Sequence, residues 1–539
     1  MTKNKILLIG IDGGSWSVLK PAFEAGQMPF LQSMCRNGVS GVLTSTIPAI
    51  TPAAWGVFQS GRNPGQTGVF DFEYWDKEQK RSFFVSSDCL GQTVWDILSR
   101  EGYRVGLINV PMTYPPRPVN GVVVSGLPTP SMDSAFTYPQ EIKEQLMLKF
   151  PGYHIFNIQF ISQNLIDDPI LLTEALCDIV RTRASAACWL LDSQAFDVFM
   201  VHFQANDVIQ HMLWHYLDPR HPGFSGSLQM ELFRRFYRVL DEQIQRVYAA
   251  FEKKNGAIDL ACVLSDHGFG PHFKRFNLGN WLVQEGYLSK PGTENTSLLK
   301  KMTRTLRVGT LLKAFIPRDN VDRIENAVLK SRAGAWDRVR AFSVGRSNEG
   351  FIYLLEHEPA LRDVLAREII DKLQRLTDPD NGSNVVRAVY RKEDIYKGQR
   401  MNHLPDLIVD PEEGYSFTGH YQADSGLFSM VQPSTDRHVG KHHKDGIFIF
   451  QGKHIVSRGT ITASLYDIMP TLLYMLRIGI PGNLDGRILQ EIFSDDFVKQ
   501  NPPIMQDDQA LKTDNGHGHT YSDEDEKNIE QRLRDLGYL

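Results

Sequence analysis

The sequence predicts an α/β protein whose core is a mostly parallel sheet with helices on both faces, and three observations predict it. Short apolar runs recur at Lys5–Ile11 (KILLIGI), Phe196–Phe203 (FDVFMVHF) and Leu260–Leu264 (LACVL). They are too short for typical helices and read as strands buried on both faces. Segments of helical character lie between them, notably Pro29–Asn37, Leu171–Leu191 and Leu228–Lys253. Finally, each run ends at or near an acidic residue: Asp12, Asp207, and the pair Asp266-His267. The carboxyl ends of parallel strands are where such sheets bind ligands.

At 539 residues the chain exceeds one average domain. We divide it into a first core part (1–288), an inserted lobe over the active site (289–402), a second core part (403–494) and a polar tail with a short terminal helix (495–539). Hydrophobic residues make up 42% and charged residues 22%, with a formal net charge of -5, which is the balance of a soluble globular protein. There is no basic block of the kind that follows nucleic acid, so no nucleic-acid partner is indicated. Five scattered cysteines, Cys35, Cys89, Cys177, Cys188 and Cys262, form no CxxC pair and point to a reducing compartment. The apolar run at the start stops at Asp12, too soon for a secretory leader, and no segment is apolar for long enough to be transmembrane. The expected location is cytoplasmic.

Taken in order, Lys5–Ile11 is the first strand, and Gly13-Gly14 after Asp12 lets backbone approach closely there. The segment lacks GxGxxG, so a dinucleotide fold has no support. Pro29–Asn37 is a helix stopped by Gly38. Thr51 precedes Pro52, a favoured first helical residue, so Thr51 either caps a helix or points its hydroxyl at whatever the Asp and His residues hold. A helix N-terminus at that place favours an anion such as phosphate. Thr93–Glu101 is a short helix and Tyr103–Val110 a strand, while Met112 to about Asn164 is too rich in Pro and turns to order. Asp207 and His211 lie one helical turn apart and, on a helix, grip a divalent ion from one face. His202, His215, His221 and His272 are left as structural. Asp266-His267 reads either as a helix cap with an incidental His or as a site.

Beyond Ser289, Lys300, Lys301, Arg304 and Arg307 form either a solvated face or a dock for an anionic substrate. Phe351–Leu355 and Asp406–Val409 are strands around a helix at Pro359–Thr377, and the second strand is expected to rejoin the main sheet. His442 and His443 stand directly before the strand Ile447–Phe450. Leu465–Leu476 is a helix containing Pro470, followed by a tight turn at Leu484–Arg487. Asn515–Ser522 has a linker's composition, and Asp523–Leu536 is a final helix docking through Leu533, Leu536, Tyr538 and Leu539.

Together these places supply three aspartates and at least three histidines, enough for two divalent ions with mixed N and O ligands. The absence of thiolate suits a catalytic site. Two such ions clamp the attacking and leaving oxygens of a phosphoryl transfer, and Thr51 fits as a nucleophile giving a covalent intermediate that water hydrolyses.

The same residues carry a resemblance. Gly-Ile-Asp-Gly (10–13), Ile-Thr-Pro-Ala-Ala-Trp (50–55), Ser-Gly-Arg-Asn-Pro-Gly (60–65) and Gly-Val-Phe-Asp-Phe (68–72) come first. Asn-Asp-Val-Ile-Gln-His-Met-Leu-Trp (206–214), Ser-Asp-His-Gly-Phe-Gly-Pro-His (265–272), His-His-Lys-Asp-Gly-Ile-Phe (442–448), Asp-Ile-Met-Pro-Thr (467–471) and Leu-Asp-Gly-Arg (484–487) follow in order. This series resembles the type I phosphodiesterase/nucleotide pyrophosphatase family of the alkaline phosphatase superfamily. It spans Lys5 to about Leu489 and thins in the lobe.

The resemblance implies an alkaline-phosphatase-like core and two divalent metal ions, zinc or alternatively manganese. Asp12, Thr51, Asp266 and His267 would hold one ion, with Thr51 the nucleophile. Asp207, His211 and His442 would hold the other, His442 matching the family position three residues before Asp445. The implied substrate is a small phosphodiester or nucleotide-like molecule. One departure concerns the Asn with which the nucleotide pyrophosphatases commonly contact a phosphoryl oxygen. Asp71 and Phe72 follow Gly68-Val69-Phe70 here, and neither side chain makes that contact. The rivals are a phosphomonoesterase or phosphotransferase using the same site, a sulfatase, or a silent binding protein of the same fold. No Cys/Ser-x-Pro-x-Arg motif stands near Thr51, against a sulfatase, and retention of the full ligand set argues against a silent site.

Overall fold

The computed structural model describes residues 3–76, 81–155, 168–224, 227–289, 339–344, 346–436, 438–457, 459–506 and 521–536. The basic stretch around Lys300 to Arg307, most of the 515–522 linker, and Tyr538 and Leu539 lie outside the described residues. The chain divides into two compact units, one of residues 1–273, 391–404 and 431–539, the other of 274–390 and 405–430.

The first unit is organised by a nine-stranded sheet. Its order is Thr460–Ser464, Val39–Thr44, Asp445–Gly452, Leu260–Leu264, Ile6–Ile11, Val198–Phe203, Val105–Ile108, Gly121–Val124, Thr137–Tyr138. Ile6–Ile11 runs parallel to both of its neighbours, pairing Gly10 with His202 on one side and Leu264 on the other. The three expected strands therefore lie side by side, and their carboxyl ends open at one edge. Asp445–Gly452 is antiparallel to Val39–Thr44 and to Leu260–Leu264, which brings the His442 region to that same edge.

Strand period explains why these runs are apolar throughout. Leu7, Ile9 and Ile11 enter one core, and Ile6 and Leu8 the other; Ala261 and Val263 are likewise separated from Leu260, Cys262 and Leu264. The first core is covered by the helices Pro29–Asn37, Pro169–Ser193 and Ser227–Asn255. The second is covered by Thr51–Ser60, Val94–Arg100 and Ile468–Met475. Pro470 falls in the first turn of its helix, where a missing N–H costs nothing. The terminal helix Asp523–Leu536 contributes Ile529 and Leu533 to the first core. No helix among the described residues is long and apolar enough to cross a membrane.

The tight turn at Leu484–Arg487 is a clamp on the segment after the Thr51 helix. Asp485 Oδ2 accepts from Asn63 N at 2.8 Å, Asn63 Nδ2 at 2.8 Å and Gln66 Nε2 at 3.0 Å, while Lys397 Nζ lies 3.0 Å from Oδ1. Gly486 is required because a Cβ there would stand 2.0 Å from the Tyr466 carbonyl oxygen. Asp485→Ala is expected to cost about 2–3 kcal/mol in urea unfolding, since hydrogen bonds to a carboxylate are the strong ones. A loss under about 0.5 kcal/mol, the ordinary surface value, would show the clamp to be idle.

The second unit has its own core. Ala341–Ser343, Gly350–Leu354, Leu407–Pro411 and Val386–Arg391 form a four-stranded sheet in that order. The helix Pro359–Gln374 packs Leu365, Ile369 and Leu373 against Ile352, Leu407 and Val409. Leu407–Pro411, expected to rejoin the main sheet, instead pairs antiparallel with Gly350–Leu354. A buried apolar strand carries no mark of which sheet it joins. Among the described residues the chain re-enters the large sheet at Asp445–Gly452.

Candidate active site

The site residues stand just beyond the strands Ile6–Ile11 and Leu260–Leu264, on the helices Thr51–Ser60 and Ala205–Leu213, and in the short strand Gly440–His443 of the first unit. Asp12 follows Ile6–Ile11 directly, and its N–H donates to the Phe203 carbonyl at 3.2 Å. Gly13 adopts φ 64°, a left-handed conformation, and its N–H donates to Asp266 Oδ1 at 3.1 Å. A side chain at Gly13 would also meet Phe269 Cδ2 at 2.8 Å. Asp266 and His267 form the bend after Leu260–Leu264, so they are not a helix cap. Thr51 is the first residue of its helix, with Ile50 in the cap position, and its Oγ1 lies 3.4 Å from His267 Nε2. Asp12, Thr51, Asp266 and His267 are all fully buried.

Around His267 Nε2 stand Asp12 Oδ1 at 3.5 Å and Asp266 Oδ2 at 3.2 Å. A second group forms on the helix Ala205–Leu213, which places Asp207 and His211 on one face. Asp207 Oδ1 is 3.4 Å from His211 Nε2 and 3.1 Å from His442 Nε2, and the two imidazole Nε2 atoms are 2.9 Å apart. Each group's ligand atoms lie within 4.8 Å of one another. The His267 and His442 rings stack with centroids 3.6 Å apart, so the groups adjoin. His443 stays outside, half-exposed beside Asp445.

The tautomers follow from the backbone. His211 Nδ1 faces the Gly440 carbonyl at 2.9 Å, His442 Nδ1 the Ala49 carbonyl at 3.1 Å, and His267 Nδ1 the Gly268 carbonyl at 3.1 Å. A carbonyl only accepts, so each Nδ1 carries the proton and each Nε2 presents a lone pair. Lone pairs and carboxylate oxygens thus converge at separations near the about 3.3 Å edge of a tetrahedral zinc site with bonds of roughly 2.0–2.1 Å. The donor set fits a divalent cation in each group, and outer partners of this kind orient metal-binding histidines.

The electrostatics agree. Burial, then the charges of Asp266 and Asp207, hold the Asp12 carboxyl well above the usual range. Burial pushes Asp266 up to about 7. Burial also acts on Asp207, but once the facing His211 and His442 rings are protonated at Nε2 their charges and hydrogen bonds outweigh it and hold that carboxyl well below its ordinary value. His267 and His442 are pushed down to about 4 by burial, the neighbouring His267 adding to the effect on His442.

Two further histidines belong to this region and were not singled out from the sequence. His202 Nε2 lies 3.0 Å from Asp12 Oδ2. The signal was available: an imidazole inside the apolar strand Val198–Phe203 needs a buried partner. The ring of His438 lies 4.2 Å from that of His211, and no spacing rule points to it. Phe72 is packed in the first core, and Asp71 Oδ1 accepts from the Phe72 N–H at 2.7 Å.

The family model described as type I phosphodiesterase/nucleotide pyrophosphatase matches residues 6–445. No curated protein matches the chain. Among solved structures, phosphonoacetate hydrolase from Sinorhizobium meliloti 1021 in complex with phosphonoformate is similar at TM-score 0.52 and 13% identity, over 87% of this chain and 94% of that one. Human ectonucleotide pyrophosphatase/phosphodiesterase 5 is similar at TM-score 0.51 and 14% identity, over 91% of this chain and 100% of that one. At such identities the likeness is one of fold, the alkaline-phosphatase-like α/β core. With the family model covering most of its length, the chain belongs to the type I phosphodiesterase/nucleotide pyrophosphatase family and is a hydrolase.

Proposed function

We propose that the protein hydrolyses a small phosphodiester or pyrophosphate bond through a covalent intermediate on Thr51. The observation that carries this reading is the convergence of three imidazole Nε2 atoms with three buried carboxylates beside the Thr51 hydroxyl. Asp12, Asp266 and His267, with Thr51, would hold one divalent ion, and Asp207, His211 and His442 the other. The nitrogen and oxygen donors suit zinc, with manganese as the alternative. When bound, the ions supply positive charge to the attacking, leaving and phosphoryl oxygens.

Thr51 Oγ1 forms the O–P bond as the bond to the leaving group breaks, and the Thr51 proton ends on the oxygen of the departing alcohol or phosphate. Water then attacks phosphorus, the Thr51 O–P bond breaks and the hydroxyl regains a proton. The N-terminus of the Thr51–Ser60 helix adds partial positive charge beside the phosphoryl group. Five unpaired thiols support a reducing, cytoplasmic setting.

Bis(4-nitrophenyl) phosphate, 4-nitrophenyl phosphate and 4-nitrophenyl sulfate, assayed with added zinc or manganese, test the reading. The diester is expected to turn over fastest. Preference for the monoester would replace it with a phosphomonoesterase using the same residues.

A further inference from the structure

Building on the reading of two divalent ions beside Thr51, we propose that Phe269 is a positioning residue that fixes the imidazole ligands of both. It is the second residue of the strand Gly268–Asn277 and pairs directly with His442 across an antiparallel ladder, so the two side chains rise from the same face. Its ring meets that of His442 edge-on, with centroids 5.5 Å apart at 62°, and that of His211 at 4.7 Å and 76°. The His267 ring, from the other ligand group, lies 6.3 Å away at 45°. One phenyl ring thus borders every imidazole of the two groups, at the separations of ordinary aromatic pairs.

The last torsion of a histidine is broad, so a hydrogen bond at Nδ1 still lets the ring rock and carry Nε2 away from an ion. His211, His442 and His267 each have a backbone carbonyl at Nδ1. Phe269 adds a packed wall against which the three rings rest. The wall is itself rigid: Phe269 is buried in the first core, and Trp214 stacks on it at 5.7 Å and 29°. Close backbone approach seats it on two sides, since a Cβ at Gly13 would lie 2.8 Å from Phe269 Cδ2 and one at Gly440 3.0 Å from Cε1. Both glycines adjoin ligands, Gly13 following Asp12 and the Gly440 carbonyl facing His211 Nδ1. The ring also lays apolar surface against the donors, which keeps water from them and strengthens their attraction for a cation. Phe236 makes a useful contrast, being buried in the same core with Tyr237 as its ring neighbour.

The test loads the metal-stripped full-length protein with zinc against a chromophoric chelator, and separately with cobalt(II), whose visible bands report the number and arrangement of its ligands. Wild type, Phe269→Leu, Phe269→Ala and Phe236→Leu are compared. The wild type is expected to bind two equivalents. Phe269→Leu keeps apolar bulk but removes the ring. It should weaken one equivalent, the ion of His211 and His442, by about tenfold or more, the other equivalent by less, and shift the cobalt bands. Phe269→Ala should enlarge each change. Phe236→Leu should lower the melting temperature of the metal-free protein while leaving both affinities and the bands as in wild type. Where Phe269→Ala does not fold, Phe269→Leu decides by the same readouts. Wild-type affinities or unshifted bands in Phe269→Leu, or the same changes in Phe236→Leu, overturn the positioning role. A wild type that binds no divalent ion overturns the metal reading itself.

Discussion

Replacing Thr51 with alanine is expected to lower turnover of bis(4-nitrophenyl) phosphate by on the order of 10⁴–10⁶-fold, the range seen when a nucleophile is removed from an otherwise intact site. The helix does not rely on that hydroxyl for its cap. Ile50, not Thr51, occupies the helix cap, and Pro52 follows within the first turn. His267 Nε2 stays 3.5 Å from Asp12 Oδ1 and 3.2 Å from Asp266 Oδ2, and Asp266 and His267 keep their backbone partners at Gly13 and Gly268. Metal content by elemental analysis should therefore stay at two equivalents, and the melting temperature should shift by no more than a lost side-chain hydrogen bond implies, about 1 kcal/mol. Thr51→Ser should keep measurable activity, because the nucleophilic oxygen survives. Rapid quenching of the wild type should trap a phosphoryl group on the peptide containing Thr51. Alanine turnover within about tenfold of wild type would remove Thr51 from the mechanism and point to direct attack by water.

Much of this site can be read from residue order because strand ends are conspicuous. Ile6–Ile11 and Leu260–Leu264 are apolar on both faces, so the first acidic residue after each marks an exit from the core. Asp207 and His211 follow from helical spacing alone. His442 is different. It reaches the site because Asp445–Gly452 inserts antiparallel between Val39–Thr44 and Leu260–Leu264, a pairing across some 400 residues that no local pattern encodes. The pair His442-His443 before a strand is legible locally, and the ordered series of motifs selects His442 from it. The i, i+4 rule reaches residues of the helix and not His202 in the preceding strand, whose neighbours are decided by register against Gly10. Register, which no local pattern carries, likewise pairs Leu407–Pro411 with Gly350–Leu354 and not with the main sheet. Other motif residues are structural: Asp467 holds Ser464 N and Arg487 N, and Asp485 clamps the 63–66 turn.

Stripping the metal should reduce activity to background, and the pH dependence of reloading should identify which residues bind it. Burial pushes Asp266 up to about 7 from a value of 3.8 outside the fold, and Asp12 also stands well above that value. Both carboxyls therefore hold protons in the metal-free protein through the weakly acidic range. The folded pKa values exceed the unfolded ones, so this protonation favours the fold fully below about pH 4. The benefit is lost as pH rises towards 7. Asp207 has the opposite sign, its contribution being present above 3.8 and lost only in strong acid. Zinc entering beside Thr51 must displace the carboxyl protons, so its apparent affinity should rise about tenfold per pH unit for each proton released between pH 5 and 7. His267 and His442, pushed to about 4, are already neutral there and add no slope. The equivalent held by Asp207, His211 and His442 should rise less steeply over the same interval. Competition titrations at half-unit steps, with Asp266→Asn as the comparison, measure both slopes. Equal slopes for the two equivalents, or an unchanged slope in Asp266→Asn, would mean that these buried carboxyls are not the groups the metal displaces protons from.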